Sequence, residues 1–219
     1  MSKHHRNRNW APAPQPLPED AHVIDNHTHV ASVVPFSQAM SHEAMEKGQG
    51  EVPVYSVDEL LEQAQKVGVE GVIDCGCELP NLMTAIDMAR EHPGTVHAAI
   101  AIHPNEAVLH GHRGAPGPDG LPIKYKPWHD IPFDEAMAEV HRLATTYPNQ
   151  VVAIGETGMD LFRTGESAKE LQREAFRAHI ALAKELNLPM QIHDRDSHKE
   201  VIETLLADGA PERLSLIHI

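Results

Sequence analysis

The chain has 219 residues, 41 % of them hydrophobic, with 17 histidines, two cysteines and a formal net charge of −14. That length supports one core-bearing domain, and no apolar run is long enough to cross a membrane as a helix. The acidic balance counts against a non-specific nucleic-acid coat, but not against a nuclease that offsets phosphate charge with metal ions or a local basic patch.

Residues 1–20 are rich in Pro, Asn and Ala without periodicity, and are expected to form a disordered arm. The opening Met1-Ser2-Lys3-His4-His5-Arg6 is basic, but no apolar core follows it, so no signal peptide is expected. Val23–Asn26 reads as the first strand, and Pro35–Pro53 as a loop with a weakly helical centre. Ser56-Val57-Asp58-Glu59 is a capping box opening a helix, with Gly68 suited to its C-terminal cap. Strands at Val69–Cys75, Val96–Ile102, Val151–Ile154 and Leu188–Ile192 then alternate with helices at Asn81–Glu91, Asp134–Tyr147, Ser167–Leu186 and Ser197–Leu206. Leu109–Pro132 is a long Gly/Pro-dense loop carrying Lys124, Tyr125, Lys126 and Trp128, a set that could stack and hold single-stranded nucleic acid or simply face solvent. Cys75 and Cys77, at i and i+2 on a strand, are poorly placed for a disulfide and read as small strand-end residues rather than thiolate ligands. A disulfide-free chain fits the cytoplasm.

Strands alternating with helices imply a parallel sheet covered on both faces, either a doubly wound open sheet or a (β/α)₈ barrel. No Gly-x-Gly-x-x-Gly follows the first strand, which counts against a dinucleotide fold. Polar residues recur at the C-terminal ends of strands one, three, four and five, the face where a barrel gathers its active site.

His27 and His29, at i and i+2 after an apolar run, share one face of a strand and can hold one metal ion. His110-Gly111-His112 has the same spacing inside the loop and reads as a solvated pair. Glu156 follows the apolar run Val151–Gly155, where a carboxylate is costly unless paired or metal-bound, and His193 ends its strand in the same way. Singly, Glu156 could be a cap and His193 a satisfied core residue; several such groups at strand ends point to a site.

These residues also carry a family resemblance. His27-Thr28-His29 after Val-Ile-Asp, Ala101-Ile102-His103-Pro104, Ile154-Gly155-Glu156-Thr157-Gly158-Met159-Asp160 and Ile192-His193-Asp194-Arg195-Asp196 resemble the TatD family of metal-dependent deoxyribonucleases over residues 22–213. The resemblance implies a (β/α)₈ TIM barrel with two divalent metal ions, Zn or Mn, with Mg an alternative. His27 and His29 would bind one ion, His193 the other, and Glu156 both; His103 and Arg195 would contact a substrate phosphate. A hydroxide activated by two metals would attack a DNA phosphodiester in line, and a 3′ oxygen would leave.

The chain departs from the family in length. Such a barrel takes about 250 residues, and about five to six of its eight βα units are readable here, so an incomplete barrel over 21–213 is expected. The family's His-Cys-Phe-Ser-Gly-like strand and late Asp segment are not present intact. Residues 214–219 look like a sixth strand, but His218 stands one position late, and a one-residue slip turns a side chain to the opposite face. Leu-Ser-Leu-Ile-His-Ile is also what CTG TCT CTT ATA CAC ATC encodes, the end of a transposase sequencing adapter. These residues are therefore read as a non-native tail, and His218 is left out of the ligand set. Two alternative readings are a related barrel hydrolase of amide, ester or phosphotriester bonds, and a catalytically inactive metal-binding fragment. DNA is the expected partner, and no obligate protein partner is readable.

Overall fold

The computed structural model describes residues 16–18, 20–48, 53–113 and 124–218. The arm expected over 1–20 lies outside them apart from 16–18 and 20. Two compact units divide the chain: one contains Val30–Gly71 and the segment ending at Asp25, the other Asn26–His29 and Val72–Ile219.

The first unit holds helices α1 (Val30–Glu46) and α2 (Val57–Lys66). The capping box forms as expected: Ser56 Oγ accepts from Glu59 N–H at 3.2 Å, and Ser56 N–H donates to Glu59 Oε2 at 2.7 Å. Gly68 sits at φ +93°, and Leu17 packs against it with its N–H on Val67 O. The expected loop over Pro35–Pro53 is corrected by α1, which runs through Pro35 to Glu46. Proline removes one interior hydrogen bond, but the residues after it are good helix formers, and His42–Glu46 and Glu43–Lys47 pair at i, i+4. Residues 49–52 of that segment lie outside the described part.

The sheet has six strands in sequence order: β1 (Val23–Thr28), β2 (Val69–Gly76), β3 (Val96–Ile100), β4 (Val151–Asp160), β5 (Met190–Arg195) and β6 (Leu214–His218). Pairings from β2 through β6 are parallel. Sequential parallel order is that of a (β/α)₈ barrel and not of a doubly wound sheet, whose order reverses at its switch point. Within the second unit, Asn26 Nδ2 donates to Ser215 Oγ at 2.9 Å, so side chains of the first and last strands meet. Helices α3 (Leu79–Glu91), α4 (Pro104–Ala107), α5 (Phe133–Thr146), α6 (Lys169–Leu186) and α7 (His198–Asp208) belong to the same unit. Its core is built on Leu82, Ile86, Ile100, Ile154, Phe176 and Ile192, all fully buried. Among the described residues no helix is long and apolar enough to cross a membrane.

Three strand ends differ from expectation. β4 continues six residues past Ile154, and β5 runs to Arg195, so Glu156 and His193 lie inside strands. Gly155 and the polar residues after it read as a strand end; in the fold they are buried and paired with β5, from Thr157↔Ile192 to Asp160↔Arg195. β3 ends early, at Ile100; bonding toward β2 continues to His103, while the N–H of Ile102 donates to His179 Nε2 at 3.1 Å. Residues 214–218 pair with β5 as β6, with Met190 opposite Leu214, the pairing that alternating apolar residues make at an open sheet edge.

His179 is fully buried on α6, and its Nδ1–H donates to Ala175 O at 2.7 Å. Burial pulls its pKa down to about 4 against the opposing Ala175 carbonyl. The unfolded chain therefore takes up this proton first, near pH 6.5. The resulting stability is complete above that pH and is lost as pH falls toward 4, to the extent of about 3 kcal/mol. Thermal melts at pH 7 and pH 5 should show a larger drop for the wild type than for His179→Gln; equal drops would refute this account.

Candidate metal centre

Strand β1 delivers His27, and His29 follows just beyond it, with their rings 4.9 Å apart and perpendicular. Thr28, pointing the other way, donates its hydroxyl to Ile73 O at 3.0 Å and pins the turn between them. β4 delivers Glu156 and Asp160; β5 delivers His193 and Arg195. His103 stands at the N-cap of α4, where its Nδ1 accepts from Asn105 N–H at 3.1 Å. The ladder with β2 continues to this point, through His103 N–H on Cys77 O at 3.0 Å.

Glu156 is the centre of the arrangement. Its Oε2 lies 3.6 Å from His27 Nε2 and 3.7 Å from His29 Nε2, while Oε1 lies 2.6 Å from His193 Nδ1. His103 Nε2 is 3.3 Å from that same Nδ1. Two donor groups result, His27–His29–Glu156 and His103–Glu156–His193, each with its ligating atoms within 4.8 Å of one another. Two ligands about 2.1 Å from a tetrahedral ion stand roughly 3.4 Å apart, so the spacing of the first group fits a divalent ion without rearrangement. Imidazole and carboxylate donors suit zinc or manganese.

Burial alone would raise the pKa of Glu156; the hydrogen bond from His193 and the surrounding imidazoles outweigh it and hold the carboxyl at about 2. Burial would lower the pKa of His193, but hydrogen bonds to Asp160 and Glu156 lift it to about 9. His193 Nε2 meets Asp160 Oδ2 at 3.1 Å, and Asp160 also accepts from Asn105 Nδ2 at 2.9 Å and Arg163 N–H at 2.8 Å. Burial opposes ionisation of Asp160 too, and those bonds keep its pKa at about 2. Burial next to His193 drives His103 down to about 4, so it is neutral at pH 7.

Of the residues singled out in the sequence, His27, His29, His103, Glu156 and His193 converge. Arg195 lies at the same strand end with its guanidinium 3.9 Å from the centroid of the Phe162 ring. The His110/His112 pair joins no donor group among the described residues. His110 is nonetheless fully buried, against the expectation of a solvated pair, with Nδ1 on Ile131 O; His112 pairs with Asp130. Lys124, Tyr125 and Lys126 are exposed, while Trp128 is anchored through Nε1 to Glu106 Oε2 at 3.3 Å.

Sequence reasoning missed four contributors. Asp160 could have been found by period two, since Glu156, Gly158 and Asp160 share a face of β4. Cys75, Cys77 and Gln191 were passed over as strand residues, yet Cys75 Sγ lies 3.3 Å from His27 Nδ1, and Cys77 Sγ lies 3.9 Å from Glu156 Oε2. The signal of the two cysteines was the same i, i+2 spacing, at the end of the strand next to the one that carries His27; Gln191 had none.

Comparison with known proteins agrees with this geometry. A family model described as TatD related DNase matches residues 24–219. The chain is 32 % identical over 162 residues to the metal-dependent hydrolase YabD of Bacillus subtilis, covering 74 % of this chain and 53 % of that one. It is 32 % identical over 148 residues to the 3′-5′ ssDNA/RNA exonuclease TatD of Erwinia tasmaniensis, covering 68 % and 48 %. Among solved structures, the TatD homologue YjjV of Escherichia coli superposes with a TM-score of 0.59 at 23 % identity, over 87 % of this chain and 57 % of that one. A TatD family hydrolase of Entamoeba histolytica gives 0.60 at 20 % identity, over 86 % and 55 %. The chain spans about half the length of the curated relatives it matches. With the matched family model covering both donor groups and nearly all of the sheet, the chain belongs to the TatD-related DNase family.

Proposed function

We propose that this protein is a two-metal hydrolase of DNA phosphodiester bonds. The observation that carries the reading is the orientation of Glu156, whose two carboxylate oxygens face separate histidine groups. A single-ion site has no need of that division. The exonuclease name of the Erwinia tasmaniensis relative supports a nucleic-acid substrate.

His27 and His29 would hold one ion with Glu156 Oε2, and His193 the other with Glu156 Oε1. When bound, the pair would supply Lewis-acid stabilisation of charge on the phosphate and would lower the pKa of a bound water. Asp160 takes the Nε2–H of His193, so Nδ1, the atom facing Glu156, is the ligating nitrogen. His103 plays a different part. Its Nδ1 lone pair is occupied by Asn105 N–H, and a neutral ring then carries its proton on Nε2. That nitrogen is a donor, suited to a phosphate oxygen. Arg195, with its guanidinium stacked on Phe162, supplies a second phosphate contact whose planar fork can donate twice. Residues 21–213 make up the catalytic portion in this reading.

Two measurements test it. His27→Ala and Glu156→Ala should each lower DNA hydrolysis by roughly 100-fold or more while the circular-dichroism spectrum is retained. Chelation should abolish activity in the wild type, and Zn²⁺ or Mn²⁺ should restore it. A double-alanine variant that digests DNA at the wild-type rate, or a protein that hydrolyses lactones or phosphotriesters but not DNA, would overturn the assignment. Asp160→Asn removes the charge behind His193 and should weaken binding of one of two Mn²⁺ ions by about 10- to 100-fold. Calorimetric titration checks this; two unchanged affinities would remove Asp160 from the metal site.

A further inference from the structure

The nitrogen of His27 that faces away from the proposed ion has an unusual partner. Cys75, buried on β2, places Sγ 3.3 Å from His27 Nδ1 and 3.1 Å from Gln191 Oε1. Gln191, buried on β5, donates from Nε2 to the main-chain carbonyl of Asn26. The side chains thus form a closed path from Asn26 O through Gln191 and Cys75 to the ring of the very next residue, His27. Gly155 keeps the path open, since a Cβ there would stand 2.5 Å from Gln191 Cβ.

The direction of every bond in this path follows from which groups can give a proton. A main-chain carbonyl only accepts, so Gln191 must turn its NH₂ toward Asn26 and its oxygen toward Cys75. An amide oxygen only accepts, so the one hydrogen of the Cys75 thiol goes to Gln191. The sulfur is left to accept, and His27 must donate to it from Nδ1. The neutral ring then has its lone pair on Nε2, the atom 3.6 Å from Glu156 Oε2.

We propose that Cys75 is a positioning residue, which acts through the Cys75–Gln191–Asn26 path to hold His27 in the Nδ1–H tautomer with Nε2 presented to a divalent metal ion. This rests on the reading of His27 as a metal ligand. A partner on the outer nitrogen of a ligating histidine fixes the ring and its tautomer, and losing such a partner typically costs 10- to 100-fold in affinity. A thiol does here what Asp160 does for His193.

The test uses the whole protein with Zn²⁺ alone as the probe. Cys75→Ser retains one donor and one acceptor at the position; Cys75→Val retains bulk and removes both. In competition with a chromophoric chelator, Cys75→Val should bind Zn²⁺ about 10- to 100-fold more weakly, and Cys75→Ser should bind close to wild type. Long-range nitrogen–proton NMR spectra of the metal-free wild type should show the His27 proton on Nδ1. Wild-type Zn²⁺ affinity in Cys75→Val, or a proton on His27 Nε2, would overturn the proposal. Should Cys75→Val fail to fold, the wild-type spectrum and the serine variant still decide it. His27→Ala separates the two layers: unchanged Zn²⁺ affinity in that variant defeats the reading of His27 as a ligand, while the tautomer spectrum independently decides the hydrogen-bond path.

Discussion

Glu156 is a carboxylate inside a parallel sheet, 3 % exposed. An ion withdrawn from water in this way costs several kcal/mol unless its oxygens find charged or donor partners. The fold meets that cost chiefly through His193 on one oxygen, with His29 and the Cys77 thiol beside the other. None of these partners is local. They arrive just past the ends of β1 and β2 and on β5, so the sheet must be complete across those strands before the carboxylate can be accommodated. The ionised Glu156 and the order of the strands are in that sense one constraint.

Strand β4 is shaped to carry this load. Its register against β5 shifts between Ile154 and Thr157, and the shift falls on the Gly155–Glu156 pair. Gly158 follows at φ +142°, where an added Cβ would lie 2.1 Å from His193 O. Only glycine lets the two backbones approach so closely, and that approach brings Nδ1 of His193 to 2.6 Å from Glu156. The glycines of the segment Gly155-Glu156-Thr157-Gly158 therefore serve the geometry of the acid between them. An irregular strand is what lets Glu156 and Asp160 address opposite nitrogens of a single imidazole.

What the sequence made legible follows from how local each feature is. The Ser56 capping box and the apolar strand cores depend on neighbours in the chain, and they appear where the pattern put them. His27, His29, Glu156 and His193 were visible because polar residues closing apolar runs are costly without a common purpose. The misses are tertiary. Proline at 35 stops a helix by local rules, yet α1 passes through it. Gly155 ends a strand by local rules, yet pairing with β5 carries β4 to Asp160. His110 opens a Gly/Pro-dense loop and looks solvated, yet the fold buries it against Ile131 O. Cys75 and Cys77 share only an i, i+2 spacing in the sequence, and it takes the folded sheet to bring each against a candidate ligand.

The outer partners of the histidines separate them into kinds. In the proposed metal-bound form, His27 and His193 each give their outer proton to an acceptor, a thiol sulfur in one case and a carboxylate in the other, and the inner lone pair of His193 becomes available once a metal displaces the Nδ1 proton it shares with Glu156. His103 meets a group that donates, the N–H of Asn105, which draws the lone pair outward and leaves a proton pointing in. Three rings of identical composition around one carboxylate are thereby assigned different chemistry by atoms one shell further out. A ring turned inward as a donor can answer a phosphate oxygen; a ring turned inward as an acceptor can answer a cation. In the proposed two-metal hydrolase both kinds are used, acceptor rings for the ions and a donor ring for the phosphodiester. It also explains why histidine content alone, high as it is in this chain, says so little: the second neighbour decides what each imidazole can do.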